Sequence, residues 1–424
     1  MKIIRTEEIY IKSNDIISKM CHYSNNLYNQ ANYVLRQQFF NKEKLLDYNH
    51  LVKLFQNENE SDNNNYRKLP AQTAQWTIKK SFSAWISFFK AEKEYRKEYR
   101  KHLKTFFGRP KPPKYRGKDG EFILIFTNQQ CKIKNGILKF PKIMNLEVKT
   151  RLDDNVDLRE VRIIPQGIGY KIEIAYWKEM EKEIENVRGQ KEQNKGIIGI
   201  DIGVRNIVTI VDSIGNKPIA IKGGAVSSIN QYFNKEYSRL KSVSDRQLED
   251  RYMTKREKRL FMKRDRKIKD VMHKMSRFII NYAETDHIGT IAIGHNEGWK
   301  QKTNIGRINN QKFVQIPFNT LIQQIIYKAE EKRINVVAID ESHTSKTSFL
   351  DQETIEHHDN YKGKRITRGL FKSANGTIIN ADVNGAYNIM RKAIPESFED
   401  GIEGVGLHPR SLRISQIITS KGGC

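Results

Sequence analysis

Gly196–Gly203 reads GIIGIDIG, and it is followed by NIVTIVD at Asn206–Asp212 and KPIAIK at Lys217–Lys222. The first segment is a near-continuous apolar run, the pattern of a strand covered on both faces. A Ser-Ile-Gly-Asn turn separates the second from the third, so the three are expected to form a meander. Asp201 sits inside the apolar run. An ionised carboxylate there is costly unless a cation neutralises it or it points into a site.

Downstream, Tyr237 to about Tyr282 reads as helical and very basic. Ile268, Met272, Met275, Ile279 and Tyr282 make an apolar stripe, and KREKRLFMKRDRK supplies cations on the other faces. A strand at Ile288–Gly294, a helix from about Phe318 to Arg333, a strand at Val336–Asp340 and a helix from near Asp382 complete the order. Meander, helix, strand, helix, strand, helix is an α/β, RNase H-like arrangement, although fold by itself does not fix function. The tail from Glu399 is expected to be flexible.

Upstream the character differs. Residues 1–12 read as a strand, and Asp15 to about Phe40 is helical, with Ile17, Met20, Tyr23, Leu27, Ala31 and Leu35 at three- and four-residue steps. A second short helix carries Leu45, Leu46, Leu51, Leu54 and Phe55, and the polar stretch Asn57–Asn65 reads as a loop. Pro70 opens a long helix from Ala71 to about Phe106, whose Trp76, Phe82, Trp85, Phe88 and Phe89 suit a core better than base stacking. GRPKPPKYRGK at Gly108–Lys118 places Arg109, Lys111, Lys114 and Arg116 on a Pro-spaced strip. Such a strip can track phosphates, or it can be a plain linker. Short strands follow over 121–177, including an Asn-Gly turn at Asn135–Gly136. The charged run Lys178–Lys195 marks the main boundary.

The chain has 424 residues and carries 75 Lys+Arg against 49 Asp+Glu, a formal net charge of +26. That balance points to a polyanionic partner, with nucleic acid first among them. Cys21, Cys131 and Cys424 offer neither a disulfide framework nor a C-x-x-C pair, so a cysteine zinc knuckle is excluded. The start, MKIIRTEEIYIK, holds no signal-peptide run, and no stretch approaches the roughly 18 apolar residues of a membrane span. A cytoplasmic, nucleoid-associated protein without membrane contact is expected.

Asp382 opens the last helix, in ADVNGAYNIMRKA. Taken alone it reads as an N-cap. Together with Asp201 it fits a phosphodiesterase that gathers carboxylates around two Mg²⁺ ions roughly 4 Å apart. Oxygen-rich ligands suit Mg²⁺, with Mn²⁺ as a substitute, and not zinc.

GIDIGVRNIVTI, then HTSKTSF, then INADVNGAYNI, in this order and spacing, resembles the TnpB family. These are transposon-encoded RNA-guided nucleases, kin to small type V CRISPR effectors and to Fanzor proteins. The resemblance is strong over the C-terminal half and looser before it. It implies a wedge first strand (1–14), a helical recognition lobe (15–118), a wedge β-barrel (119–180), a linker (181–194), a RuvC nuclease domain (195–398) and a flexible tail (399–424). It also implies a guide RNA and a target double-stranded DNA as partners. A short target-adjacent duplex motif is read by the protein and the rest by base pairing. LPAQTAQW at Leu69–Trp76 resembles the part of the lobe that approaches that motif. Gln72 and Gln75 are thus candidate base readers, with Lys79 beside them, because Gln suits adenine; helix-surface glutamines are the competing reading.

Two departures stand out. Where the family pattern has a glutamate, at the end of the strand in IAIGHNEGW, this chain has Gly294. Glu297 could reach back, a carboxylate could come from the neighbouring strand end, or the site could be dead. We favour the second: NVVAIDESHTSK carries Asp340 and Glu341, and alternation along a strand lets only one face Asp201. Glu341 is the expected third ligand, as in the rearranged site of Fanzors and some TnpB relatives. Second, the insertion 341–380 has no cysteine, and Phe349, Leu350, Leu370 and Phe371 are expected to pack in place of a zinc knuckle. His343, His357 and His358 read as surface residues.

The expectation is an RNA-guided DNA endonuclease with Asp201, Glu341 and Asp382 holding Mg²⁺, and with Arg205 steadying the scissile phosphate. A nuclease-inactive RNA-guided DNA-binding protein is the first rival, and a DNA transposase the second.

Overall fold

The computed structural model describes residues 2–57, 64–101, 106, 108–180, 196–247, 253–295, 311, 313–398 and 404–419. The chain divides into two compact units, Met1–Glu181 and Lys182–Cys424. Among the described residues no helix is long and apolar enough to cross a membrane. Glu297, most of the expected 57–65 loop and the whole expected linker lie outside the described residues.

The first unit holds β1 (Lys2–Lys12), β2 (Leu124–Thr127), β3 (Lys132–Lys134), β4 (Ile137–Lys139), β5 (Glu147–Lys149), β6 (Asp157–Gln166) and β7 (Gly169–Glu179). They form two antiparallel sheets, ordered β1-β7-β6-β2 and β3-β4-β5. Asn135 and Gly136 both take positive φ, 54° and 67°, as a two-residue hairpin turn requires. The helix Asp15–Phe40 begins at Asn14, whose side chain accepts from the Ile16 and Ile17 amides. It packs with the helix Ala71–Arg100, which stops short of the expected Phe106. Trp85 is fully buried between them and donates to Asn32 Oδ1 at 2.9 Å. Phe82, Phe88 and Phe89 pack around the same core, so these aromatics are structural.

The second unit is built on a six-stranded sheet. β8 (Gly196–Ile202), β9 (Asn206–Asp212) and β10 (Ile219–Lys222) form the antiparallel meander. β11 (Ile288–Gly294) runs parallel to β8, and β12 (Asn335–Ile339) runs parallel to β11. A small antiparallel sheet of β13 (Lys364–Thr367), β14 (Leu370–Lys372) and β15 (Ile378–Asn380) lies in the insertion. β16 (Arg410–Leu412) adds in parallel to β10, giving the order β12-β11-β8-β9-β10-β16.

Alternation along β8 sorts its side chains between two layers. Ile198, Ile200 and Ile202 share a core with Ile268, Met272, Met275 and Ile279 of one helix and with Leu321 and Ile325 of the helix Phe318–Glu331. Gly199 faces the other way: a Cβ there would lie 2.4 Å from the Ala386 carbonyl oxygen. The helix Ala381–Ala393 therefore seats directly on β8. Asp201 has the same parity as Gly199 and faces that helix.

Two expectations need correction. The basic helical stretch begins at Gly224 and not Tyr237, and it consists of two helices, Gly224–Gln247 and Lys255–Thr285. Thr254 and Glu257 close a reciprocal capping box that starts the second. The tail is not wholly flexible either: Leu412, Ile414 and Ile417 are buried in the main core. The insertion does pack on apolar residues. Phe349 and Phe371 are buried, Leu350 lies partly against them, and Phe349 stacks on Tyr387 with ring centroids 4.6 Å apart.

Candidate active site

Asp382 lies in the first turn of its helix but is not the cap. Asn380 takes that role, its side chain accepting from the Asp382 and Val383 amides. The Asp382 carboxylate is thereby left for other partners. Its Oδ2 accepts from Asn206 Nδ2 at 2.7 Å, and Asn206 Oδ1 accepts from Lys222 Nζ at 3.0 Å. Arg365 approaches Oδ1 at 3.7 Å. Asn206 and Lys222 are register partners on β9 and β10, which explains how they act together.

At the other side, Gly294 ends β11 opposite Ile339, and the His295 amide continues the pairing to the Ile339 carbonyl at 2.8 Å. The next two residues part company. Asp340 is solvent-facing: its Oδ1 accepts from the Ser342 amide at 2.6 Å, with Lys392 Nζ at 3.9 Å. The bonds from Ser342 hold its carboxyl below the usual range. Glu341 turns inward. Burial, and then the charge of Asp340, push its carboxyl up to about 7. Its Cγ and Oε1 occupy the space in front of Gly294, where a Cβ would lie 2.6 Å from each.

Asp201 feels both other carboxylates. Burial raises its carboxyl well above the ordinary range, and the charges of Glu341 and Asp382 raise it further, with Arg365 opposing them. Across the helix, Gly385 backs the Asp201 carboxyl, its missing Cβ position 3.4 Å from Oδ2. The structure thus brings Glu341 and Asp382 each within electrostatic reach of Asp201.

Among the described residues, no three His, Cys, Asp or Glu side chains are gathered closely enough to hold a metal ion as they stand. Asp382 is drawn instead toward Asn206 and Arg365. The donor chemistry nevertheless fits a hard divalent cation: the charges of Glu341 and Asp382 both bear on the buried Asp201, and such repulsion is what Mg²⁺ relieves. The histidines lie apart from them. The His343 and His357 rings meet edge to face at 6.1 Å, and His358 Nε2 lies 2.8 Å from the Thr354 carbonyl.

Arg205 is exposed, and with Lys222, Arg365 and Arg368 it lines a cleft of about 360 Å³ that opens beside Asp382. Sequence reasoning missed Asn206, Lys222, Arg365 and Arg368. Only the β9–β10 register and the placement of β13 bring them to Asp382.

The nucleic-acid candidates of the first unit do not gather into one site. Gln72 donates to Gln129 Oε1 at 2.7 Å and accepts from Thr127 Oγ1. Gln75 donates to the Tyr66 hydroxyl at 3.4 Å, and its carbonyl accepts from Tyr48. Lys79 is exposed, its Nζ 4.5 Å from the Trp76 ring centroid. Arg109 grips Glu92 through Nε and Nη2, at 3.1 and 2.8 Å. Arg116 lies over Phe122 at 4.2 Å and donates to Asn25 Oδ1 at 3.1 Å. Lys111 and Lys114 are exposed on the strip between them.

Comparison with known proteins bears on this geometry. Residues 178–300 match the OrfB_IS605 model, described as a probable transposase, and residues 318–389 match the Cas12f1-like TNB domain. TnpB-like protein ORF457 of Acidianus two-tailed virus is 25 % identical over 408 residues, covering 89 % of this chain and 83 % of that protein. The CRISPR-associated endodeoxyribonuclease Cas12f1 of Sulfoacidibacillus thermotolerans is 37 % identical over 124 residues, 29 % of this chain and 26 % of that one. The cryo-EM structure of a Cas12f1-sgRNA-target DNA complex superposes with a TM-score of 0.51 at 14 % identity, covering 90 % of this chain and 83 % of that chain. That likeness is one of fold. Both family models match in order and a TnpB-like relative aligns along most of its length, so the matches support a likeness to the TnpB family, related to Cas12f.

Proposed function

We propose that the protein is an RNA-guided DNA endonuclease whose catalytic carboxylates are Asp201, Glu341 and Asp382. The observation that carries this reading is the Glu341 side chain filling the place in front of Gly294, on the side of Asp201. The carboxylate expected on β11 is supplied by the turn after β12. The strand order of the second unit supports an RNase H-like, RuvC-type domain, and the first unit is read as the recognition lobe and wedge.

Mg²⁺, or Mn²⁺ in its place, would be held by these three carboxylates and would supply a water nucleophile and neutralisation of the leaving oxygen. The chain's own residues do the rest. Asn206, itself held by Lys222, orients Asp382. Arg205, Lys222, Arg365 and Arg368 present cations along the cleft beside it, where a phosphodiester can be steadied. Burial around Glu341 limits competing water on that side.

A guide RNA and a duplex DNA target are assigned as partners on two grounds. The related Cas12f1 is named an endodeoxyribonuclease, and the superposable Cas12f1 structure is a complex with sgRNA and target DNA. A net charge of +26 gives this chain the electrostatics for polyanions. A second reading, guided binding without cutting, is favoured by one observation: Asp382 is engaged by Asn206 and Arg365 rather than gathered with its fellow carboxylates.

The deciding experiment purifies the protein with RNA from its flanking locus and offers matching DNA beside a randomised flank, with Mg²⁺ or with EDTA. EDTA-sensitive cuts next to one flank motif are expected. Guide-dependent binding without cuts would establish the second reading, and absence of bound RNA would return the transposase.

A further inference from the structure

Two signature segments, HTSKTSF and ADVNGAYNI, supply more than Asp382. Asn384 and Asn388 stand four residues apart, so they share one face of the helix Ala381–Ala393. Both are completely buried. The Asn388 amide nitrogen donates to the carbonyls of Thr344 and Thr347, at 2.9 and 2.8 Å. The Asn384 amide nitrogen donates to the Thr347 carbonyl at 2.9 Å, and its oxygen accepts from the Phe349 amide at 3.0 Å. A further bond fixes the second oxygen, for Arg391 Nη2 donates to Asn388 Oδ1 at 3.1 Å.

What these amides grip is the turn that Glu341 begins. The Thr344 amide and hydroxyl both donate to the Glu341 carbonyl, at 3.1 and 2.9 Å. The Thr347 hydroxyl closes the next turn on the His343 carbonyl at 2.9 Å. Thr344 and Thr347 are themselves buried, so water cannot take over these bonds. A path therefore runs from the Glu341 backbone through Thr344 to Asn388 and along one helix to Asp382, beside a second bond from Lys392 Nζ to the Ser342 carbonyl at 3.1 Å. Nothing but a side-chain amide meets the requirement at position 388: two donors for two buried carbonyls and an acceptor for an arginine.

We propose that Asn384 and Asn388 are positioning residues, which clamp the Glu341 turn onto the Asp382 helix and so set the spacing of these two carboxylates. The inference rests on the reading of Asp201, Glu341 and Asp382 as one site. It gives the two signature segments a shared purpose. A carboxylate that has moved from a strand to a turn needs such a clamp, because a turn residue lacks the ladder bonds that fix a strand end.

The test uses protein purified with its RNA and reads Mn²⁺ binding by electron paramagnetic resonance, alongside guided DNA binding and cutting. The variants are Asn388→Leu, Thr344→Val and Glu341→Gln, with the double variant of the first and last. Asn388→Leu should weaken Mn²⁺ binding about tenfold, as loss of outer support for metal ligands does, with guided DNA binding intact. In the Glu341→Gln background it should weaken it no further. Thr344→Val keeps the side-chain volume and removes only the hydroxyl bond, so it decides the matter if Asn388→Leu does not fold. Unchanged Mn²⁺ binding in both variants, or an equal loss with and without Glu341, would overturn the clamp. Unchanged Mn²⁺ binding in Glu341→Gln itself would instead overturn the site reading on which it rests.

Discussion

Glu341 occupies the volume that a side chain at position 294 would need: a Cβ on Gly294 would lie 2.6 Å from both its Cγ and its Oε1. Ile389 Cδ1 closes the same space from the helix side, also at 2.6 Å. The two positions are therefore alternatives. A glutamate on β11 and a glutamate in the turn after β12 cannot both point here, and the chain carries the second. The glycine is the condition for the inward turn of Glu341.

Exchange of Glu341 for Gln keeps that volume and removes the charge. Cutting should fall by at least about a hundredfold while guided DNA binding stays, since loss of a metal ligand exceeds the loss seen for its outer partners. Gly294→Ala should impair cutting as well, and overpacking should cost about 1–3 kcal/mol in stability. Normal cutting by Glu341→Gln together with a dead Glu297→Gln would move the third ligand to Glu297.

The raised carboxyl of Glu341 makes two pH dependences. Its ordinary value is 4.5 and its native value about 7, so the folded protein holds the proton more tightly than the unfolded chain. Without divalent metal, the stability this group contributes is complete below about 4.5 and is lost as pH rises through about 7. Thermal melts in EDTA should therefore be higher at pH 5.5 than at pH 7.5 by an amount that Glu341→Gln removes. Cutting needs the ionised form, so its rate should climb through the same interval. A flat melting profile in EDTA that Glu341→Gln leaves unaltered would contradict the assignment.

Much of the second unit was legible because its physics is local. An apolar run buried on both faces and a 3.6-residue stripe declare β8 and the helix Lys255–Thr285 without reference to the rest of the chain. Asp340 and Glu341 lie in the turn beyond the end of β12, and that turn, not strand parity, sends Glu341 inward and Asp340 outward. What stayed hidden was contingent on partners that local sequence does not reveal. Taken alone Asp382 could pass for a cap, and it is Asn380, two residues earlier, that takes that role and leaves the carboxylate free for other partners. Lys222 and Asn206 look unremarkable in sequence, and only the strand register pairs them. The partners of Gln72 and Arg109 within the chain, Gln129 and Glu92, lie 57 and 17 residues away and cannot be read from local sequence.

The cysteine-free insertion is held by carboxylates that accept from its own backbone. Glu353 is 3 % exposed and accepts from the Ser348 and Lys362 amides at 2.8 and 2.7 Å. Asp351 accepts from the Ala374 amide at 2.9 Å. Glu353→Ala would strand two backbone donors, at about 1–3 kcal/mol each where they stay dry. The melting temperature should fall clearly, whereas a strong zinc chelator should leave the wild type unmoved. Loss of stability on chelation would mean that a metal is part of the insertion after all.

Removal of residues 404–424 tests the reassigned tail. β16 pairs in parallel with β10, joining Ile219–Ile221 to Arg410–Leu412. Without it β10 becomes an open edge, and such an edge invites pairing with other chains. The deletion also withdraws Leu412, Ile414 and Ile417 from the core they share with the helix Lys255–Thr285. Burial of three such side chains is worth roughly 1.5–3 kcal/mol each as an upper bound, so a loss of about 4 kcal/mol is expected. The truncated protein should melt several degrees lower and associate at high concentration. An unshifted melt would show that β16 adds nothing to the sheet and that the edge of β10 tolerates water.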